Sequence, residues 1–292
     1  MTRKYFANPT IELLAVLSVV VVLLLSGCGG TSSASTSSGK ATPTRAVSGT
    51  AGSAALKHAP RGTATIDWNP ANQNLTVKIS LVGLAPSSTH PAQIYSGSCA
   101  KQGAAVYTLN NVQANAGGVG SSTTVIKNVK TIPTGGLNII VHNGPGIAAA
   151  DELLPIVCSD LTFNHVSPTT MRSVQVPLNS APASSPSETA SGTAQLTVSG
   201  GTLTVKLTLS GLQPGSSHAA HIHTGSCESQ GAVIYPLSNV VADASGKSIS
   251  TTTIKNVSSI PGRGWYVNVH YSTDLANQTG YNPIACGDVT VA

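Results

Sequence analysis

A repeat with a period of 128 residues constrains the fold of this chain more than any other feature of its sequence. The segment "TTVIKNV" (123–129) returns as "TTTIKNV" (251–257), and "LTVK" (75–78) returns at 203–206. Histidines and cysteines keep the same spacing in four pairs: His90 and His218, Cys99 and Cys227, His142 and His270, and Cys158 and Cys286. A constant offset over some eighty residues indicates two duplicated domains, which we place at residues 61–165 (the first repeat) and 192–292 (the second repeat).

Each repeat carries the alternating pattern of half-buried β-strands. In "AQLTVSGGTLTVKL" (194–207), apolar residues alternate with polar ones on both sides of a Gly-Gly pair, which predicts a hairpin. Only 4% of residues are aromatic and 9% charged, a composition that suits strands joined by small-residue turns. Further strands are expected at 219–223, 231–235, 249–256, 265–270 and 284–291. The chain is therefore predicted to be all-β, with an antiparallel sandwich or barrel in each repeat.

The N-terminal 28 residues have the pattern of an export signal. Arg3 and Lys4 precede the apolar run "LLAVLSVVVVLLLSGC", which is short for a membrane span and ends in small residues before Cys28. This ending resembles a bacterial lipobox and predicts lipidation of Cys28, which would attach the protein to a membrane of the bacterial cell envelope, facing away from the cytoplasm. An uncleaved signal anchor is the alternative.

Two segments rich in Ser, Thr, Ala, Gly and Pro are expected to lie outside the folded domains. Residues 29–60 predict a flexible tether, and residues 166–191 predict a linker between the repeats, because neither contains enough large apolar side chains to offset its ordering entropy. The net charge of +5 is spread along the chain without a run of Lys or Arg, so no nucleic-acid partner is expected.

The four cysteines of the repeats favour two disulfides. Cys99 and Cys158 have the same spacing as Cys227 and Cys286, and an exported protein meets oxidising conditions. One disulfide inside each repeat is the simplest pairing, although pairing between the repeats remains open.

The stretch "HAAHIHTGSC" (218–227) is the strongest candidate for a chemical site. On a strand, His221 and His223 project from the same face, and "WYVNVHYS" (265–272) offers His270 from another strand. Three neutral imidazoles suit copper or zinc, with His218 as a supporting hydrogen-bonding group. The alternative is that the H-x-H pair is solvated or capped and holds no metal.

The segments "SGLQPGSSHAAHIHTGSC" (210–227), "YVNVHYS" (266–272) and "IACGDVTVA" (284–292) together resemble the copper/zinc superoxide dismutases. The resemblance covers the second repeat, and its degenerate copy would be the first. It implies two tandem Greek-key β-barrel or sandwich domains. It also implies one copper on His221, His223 and His270, with His218 beside the site as a non-ligand, and it supports a Cys227–Cys286 disulfide.

Three departures from that family weaken the prediction of dismutase activity. Residues 228–269 contain no histidine, so a zinc site and a bridging histidine are not expected. Pro283 stands where the family has its active-site arginine, and the loop between His270 and Cys286 is short. Weaker attraction of superoxide and a missing proton route follow, and no catalytic residue is assigned.

The first repeat has lost the ligand pattern. Its matching segment "HPAQIYSGSC" (90–99) places Gln93 and Tyr95 where the second repeat has His221 and His223. We interpret it as a structural copy, with His142 a satisfied core or edge histidine.

The order H-x-x-H-I-H-x-G, then "GAVIYPL" (231–237), then "YVNVH" (266–270) also resembles the CHRD modules of extracellular proteins. Those modules are associated with binding or scaffolding. Two hypotheses follow from the two resemblances. One is a surface lipoprotein that binds copper and disproportionates superoxide to oxygen and hydrogen peroxide. The other is a non-catalytic extracellular binding or scaffold module.

Overall fold

A computed structural model describes residues 48–163, 171–182 and 189–292, and these residues are almost entirely β-structure. They belong to one compact unit, Arg45–Ala292. The expected signal segment (1–28) with Cys28, most of the expected tether and parts of the expected linker lie outside the described residues. Within the described ranges, no helix is long and apolar enough to cross a membrane.

The strands follow one another with short connections, and one short helix, α1 (Gln278–Tyr281), lies among the described residues. In chain order the strands are β1 (Ser48–Gly49), β2 (Ala51–His58), β3 (Arg61–Asn69), β4 (Asn74–Val82), β5 (Thr89–His90), β6 (Ala92–Gly97), β7 (Gln102–Thr108), β8 (Val112–Ala114), β9 (Gly120–Ile126), β10 (Leu137–His142), β11 (Pro155–Leu161), β12 (Arg172–Leu178), β13 (Ser191–Ser199), β14 (Thr202–Ser210), β15 (Ser217–His218), β16 (Ala220–Ser226), β17 (Ser229–Pro236), β18 (Val240–Val241), β19 (Ser248–Lys255), β20 (Ile260–Pro261), β21 (Trp265–His270), β22 (Pro283–Asp288) and β23 (Thr290–Val291).

Strands β3–β12 form the first module. A sheet in the order β12-β3-β4-β9-β8-β5 and a sheet in the order β11-β10-β6-β7 share one apolar core. That core includes Ile66, Val77, Ile94 and Ile139, each of which has at most 1% of its surface exposed. Burial of these alternate side chains is what the period-2 pattern of the first repeat predicted.

Strands β13–β23 form the second module together with β2. Its main sheet runs in the order β17-β16-β21-β22-β2-β13-β14-β19, with β23 also paired to β2. The sheet curls around a second core that includes Leu56, Val205, Ile222 and Val267. Because β2 pairs with β22 on one side and β13 on the other, it joins the two halves of this sheet.

The two modules exchange a strand. Strand β2 precedes the first repeat but pairs with β13, where Leu56 faces Gly192; strand β12 precedes the second repeat but pairs with β3, where Leu178 faces the equivalent Gly62. A β-carbon at either glycine would collide with a carbonyl of the neighbouring strand, so the two positions are equivalent in packing as well as in register. The exchange makes each module depend on a strand that leads the other repeat.

The exchange corrects the expectation that residues 29–60 and 166–191 are a flexible tether and a linker throughout. Residues 51–58 and 172–178 are strands. The physical reason is that Ala54 and Leu56 are buried in the second core, while Val176 and Leu178 are buried in the first. A short alternation of apolar and polar residues is enough to form a strand when its apolar side chains can pack against an existing core.

Two predictions from the sequence are confirmed in detail. Strands β13 and β14 form the expected hairpin, and its turn residues Gly200 and Gly201 adopt φ of 56° and 74°, which glycine adopts readily. Each repeat contains its own disulfide, Cys99–Cys158 and Cys227–Cys286, both with a sequence separation of 59 residues. The all-β class is thus shown, whereas a Greek-key barrel of the dismutase type stays a prediction.

Candidate metal centre

Strands β16 and β21 bring the three predicted histidines together. They pair antiparallel, with His221 opposite Asn268 and His223 opposite Tyr266. Alternation sends Ile222, Val267 and Val269 into the second core, so the histidines share the opposite face of the sheet. His270 lies at the end of β21 on this same face.

The geometry of the triad fits a single small ion. One ring nitrogen from each of His221, His223 and His270 lies within 4.8 Å of the others, and within the described residues this is the one group of three potential metal ligands found. The Nδ1 atom of His221 lies 3.1 Å from Nε2 of His270. His270 and His223 are 0% and 2% exposed, whereas His221 is partly exposed. Two rings of the cluster are therefore buried, and the third is partly exposed to solvent.

Backbone carbonyls fix the orientation of the two buried rings. Nδ1 of His270 donates to the carbonyl of Tyr281 at 2.6 Å, and Nδ1 of His223 donates to the carbonyl of Gly231 at 3.1 Å. A carbonyl can only accept, so the proton of each neutral ring sits on Nδ1 and the lone pair on Nε2. This arrangement is the one that metal-binding histidines commonly have.

The lone pair of His223 has no partner among the described residues. Its Nε2 atom is buried and makes no hydrogen bond. A buried acceptor without a partner costs free energy, on the order of 1–3 kcal/mol, and an ion at the triad would remove that cost. Three imidazole nitrogens are also a donor set that copper and zinc accept. The residues present therefore fit a metal ion.

Burial keeps the triad uncharged near neutral pH. Burial lowers the pKa of His270 to about 4, with smaller contributions from the neighbouring His221 and His223. It also lowers the pKa of His223, and burial followed by repulsion from His223 lowers the pKa of His221. Neutral imidazoles are the form that binds metals, so these nitrogens need not lose a proton to solvent before an ion binds.

His218 lies beside the triad without belonging to it. Its Nδ1 donates to the carbonyl of His270 at 3.0 Å, and its Nε2 lies 2.7 Å from the hydroxyl of Ser216. His90 makes the equivalent contacts in the first repeat, to the carbonyl of His142 at 2.9 Å and to Ser88 at 2.8 Å. The presence of this arrangement in both repeats indicates that it supports the end of β21 or β10 rather than a metal.

Two neighbours of the triad escaped the sequence reasoning. The ring of Tyr266 stacks on His223, with centroids 4.9 Å apart and planes at 24°, and burial raises the pKa of its hydroxyl. Asn268, opposite His221, is 1% exposed, and neither polar atom of its side chain has a hydrogen-bond partner among the described residues. The alternation of "YVNVH" (266–270) contained the signal, since Tyr266, Asn268 and His270 must share a face.

The first repeat shows what the site becomes without its ligands. The hydroxyl of Tyr95 lies 3.0 Å from Nε2 of His142 and 2.5 Å from Oε1 of Gln93, while Nδ1 of His142 donates to the carbonyl of Leu153 at 2.7 Å. Nδ1 of His142 thus has a carbonyl acceptor, and Nε2 faces the Tyr95 hydroxyl, whose one proton is donated to Gln93. His142 is fully buried with protein atoms at both ring nitrogens, as expected of a core histidine. The Tyr95 hydroxyl occupies the nitrogen that would otherwise face an ion.

Comparison with known proteins supports the CHRD resemblance. Residues 174–275 match the model of the CHRD domain family. The matched range contains His221, His223 and His270 and runs from within β12 to the loop before α1. The resemblance to copper/zinc superoxide dismutases, by contrast, finds no support in a family match.

The remaining comparisons add little. One similar solved structure is described as "Crystal Structure Analysis of the clock protein EA4"; it is 20% identical to this chain, with a TM-score of 0.27, and the match covers 36% of this chain and 89% of that one. No curated protein matches the chain.

Proposed function

We propose that the protein is an extracytoplasmic binding protein of the CHRD type. Its second module holds one copper ion through His221, His223 and His270. One observation carries the proposal: three ring nitrogens converge within 4.8 Å, and the lone pair of the buried His223 has no other partner among the described residues. The match to the CHRD family includes all three ligands and supports a binding module rather than a particular reaction.

Copper is proposed over other ions because of the donor atoms. Calcium and magnesium prefer oxygen ligands, so a site of three imidazole nitrogens binds them weakly. A given nitrogen site generally binds Cu²⁺ more tightly than Zn²⁺. When bound, copper would supply a redox-active centre. The chain's own residues hold the rings: the carbonyls of Gly231 and Tyr281 fix the tautomers, and Tyr266 packs on the face of His223.

The proposed location rests on the disulfides and the leader. Two disulfides are typical of a protein that folds outside the cytoplasm. Together with the lipobox-like end of the leader, they support a lipoprotein anchored to the cell envelope through Cys28.

A titration with Cu²⁺ tests the proposal. We expect the wild-type protein to bind one equivalent and the His223→Gln variant to lose that binding by about 100-fold or more, since loss of an outer-shell partner alone typically costs 10–100-fold in metal affinity. The matched control is His142→Gln, which changes the equivalent position of His270 in the first repeat and should leave copper binding unchanged. Equal affinity in the wild type and His223→Gln would refute the proposed site, and a parallel titration with Zn²⁺ tests the choice of metal.

Superoxide disproportionation is the second candidate function. The observation in its favour is the partial exposure of His221, through which we propose that a small anion reaches the triad. Wild type and the His142→Gln control, both loaded with copper, should then consume superoxide at the same rate. The His223→Gln variant should consume it much more slowly. Equal rates for wild type and His223→Gln would leave the binding module as the function.

A further inference from the structure

We propose that the first module, in whose described residues no ligand triad is found, is a positioning element for the metal centre in the second module. It holds helix α1, and the carbonyl that ends α1 holds the ring of His270. The inference rests on the proposed function, because it gives the first module a role in metal binding. It follows from contacts that run in three steps from the first module to the ring.

The first step is a side chain that reaches from α1 into the first module. The amide of Gln278 accepts from the backbone N–H of Thr89 at 3.0 Å and donates to the carbonyl of Thr89 at 2.7 Å. It also lies 3.4 Å from the carbonyl of Asn143. A side-chain amide that satisfies both backbone groups of one residue fixes its own position, so α1 is tied to strand β5 of the first module.

The second step is a buried pair of asparagines. The Nδ2 atom of Asn282 donates to the carbonyl of Asn143 and lies 2.6 Å from Oδ1 of the same residue. Asn282 is 2% exposed and Asn143 is fully buried, so water does not compete for these hydrogen bonds. Asn143 directly follows His142, the equivalent of His270. The residue that follows α1 is thus hydrogen-bonded to the residue that follows His142 in the first module.

The third step leads from α1 to the metal ligand. The carbonyl of Tyr281 accepts from Nδ1 of His270 at 2.6 Å, and the carbonyl of Asn282 accepts from the N–H of Tyr271 at 2.8 Å. One of these bonds holds the side chain of His270, and the other holds the backbone of the next residue, Tyr271. Movement of α1 away from the first module would therefore release the ring of His270, whose Nε2 lies next to His221 in the triad.

The first repeat shows that such a loop can be held from within instead. There Leu153 supplies the carbonyl for His142, and the carboxylate of Glu152 accepts from the N–H groups of Ala148 and Ala149. In the second repeat Gly280 stands at the position of Glu152 and has no side chain to offer. Asn277 caps α1 locally through the N–H of Gly280, and the bonds to the first module supply the rest.

The test compares the full-length protein with the double variant Gln278→Ala/Asn282→Ala, which removes the side-chain bonds of both residues to the first module. We expect Cu²⁺ affinity to fall about tenfold, as it typically does when an outer-shell partner is lost, and the copper electron paramagnetic resonance spectrum to change. The metal-free variant should also exchange the Nδ1 proton of His270 and the amide protons of residues 281–282 faster than wild type. The control is Asn110→Ala, which removes a bond to the carbonyl of Thr123 inside the first module and should change none of these quantities.

The outcomes separate this inference from the proposed function. Unchanged affinity, spectrum and proton exchange in the double variant would overturn the positioning role while leaving the metal site intact. If the wild type binds no copper, the proposed function fails, and proton exchange at His270 in the metal-free protein still decides whether the first module holds the ring. A loss of affinity with an unchanged spectrum and unchanged exchange would also count against positioning.

Discussion

Replacing Leu56 with alanine is expected to lower the free energy of unfolding of the second module by about 2–5 kcal/mol, although Leu56 precedes the first repeat. Leu56 is 2% exposed and lies in the core of the second module. The matched variant Leu178→Ala should instead destabilise the first module, whose core contains Leu178. The chain has two tryptophans, of which Trp68 packs in the first core and Trp265 against the second, so tryptophan fluorescence in urea, with the other tryptophan replaced by phenylalanine, reports each module separately.

The strand exchange makes this prediction specific. If β2 belonged to the first module, Leu56→Ala would lower the urea concentration at which Trp68 reports unfolding and leave that reported by Trp265 unchanged. That reversed result would contradict the exchange. The expected result would mean that a fragment of the second repeat alone lacks a strand of its sheet, so the site is best studied in a chain that includes residues 48–58.

The second large effect is expected from the disulfide beside the metal centre. The double variant Cys227→Ser/Cys286→Ser should lower the free energy of unfolding by about 4 kcal/mol, because the bridge closes a long loop in the unfolded chain. Cys99→Ser/Cys158→Ser is a matched control with the same separation of 59 residues and should cost a similar amount. Urea unfolding measures both.

The two disulfide variants should differ in metal binding. Tyr266 belongs to a buried cluster with Cys227 and Cys286 and also stacks on His223, and Cys286 pairs with Asn268 across the strands. Loss of this bridge should therefore weaken Cu²⁺ binding, whereas loss of the Cys99–Cys158 bridge should not. Equal copper affinity in the two variants would show that the disulfide supports the fold and has no influence on the site.

Much of the fold could be predicted from the sequence because the information is local or duplicated. The offset between repeats identified the matching cysteines, and the alternation around Gly200 and Gly201 identified a hairpin. The spacing of His221 and His223 placed both on one face of a strand. In each case the physical cause, period-2 alternation or a turn that needs glycine, is written in consecutive residues.

The strand exchange could not be predicted in the same way, because a strand does not specify which core it enters. A signal was present nonetheless. The motif L-x-x-A-P occurs at residues 56–60 and again at 178–182, ahead of each repeat. It shows that the repeating unit includes the preceding strand. It does not show that the two strands change places, which depends on packing between distant segments.

The support of the triad was also beyond the sequence. The carbonyls of Gly231 and Tyr281 hold two of the rings, and any residue could supply a carbonyl. Gln278 contributes through contacts to Thr89, which lies far from it in sequence. Such contacts depend on how the two modules meet, so composition and spacing carry no trace of them.

The measurement that tests the metal centre most directly is anomalous X-ray scattering from crystals of the copper-loaded protein at the copper absorption edge. We expect one strong peak per chain, within bonding distance of a ring nitrogen of each of His221, His223 and His270, with no peak at Gln93, Tyr95 and His142. A peak elsewhere, or none at the triad under conditions where copper is in excess, would contradict the proposed site.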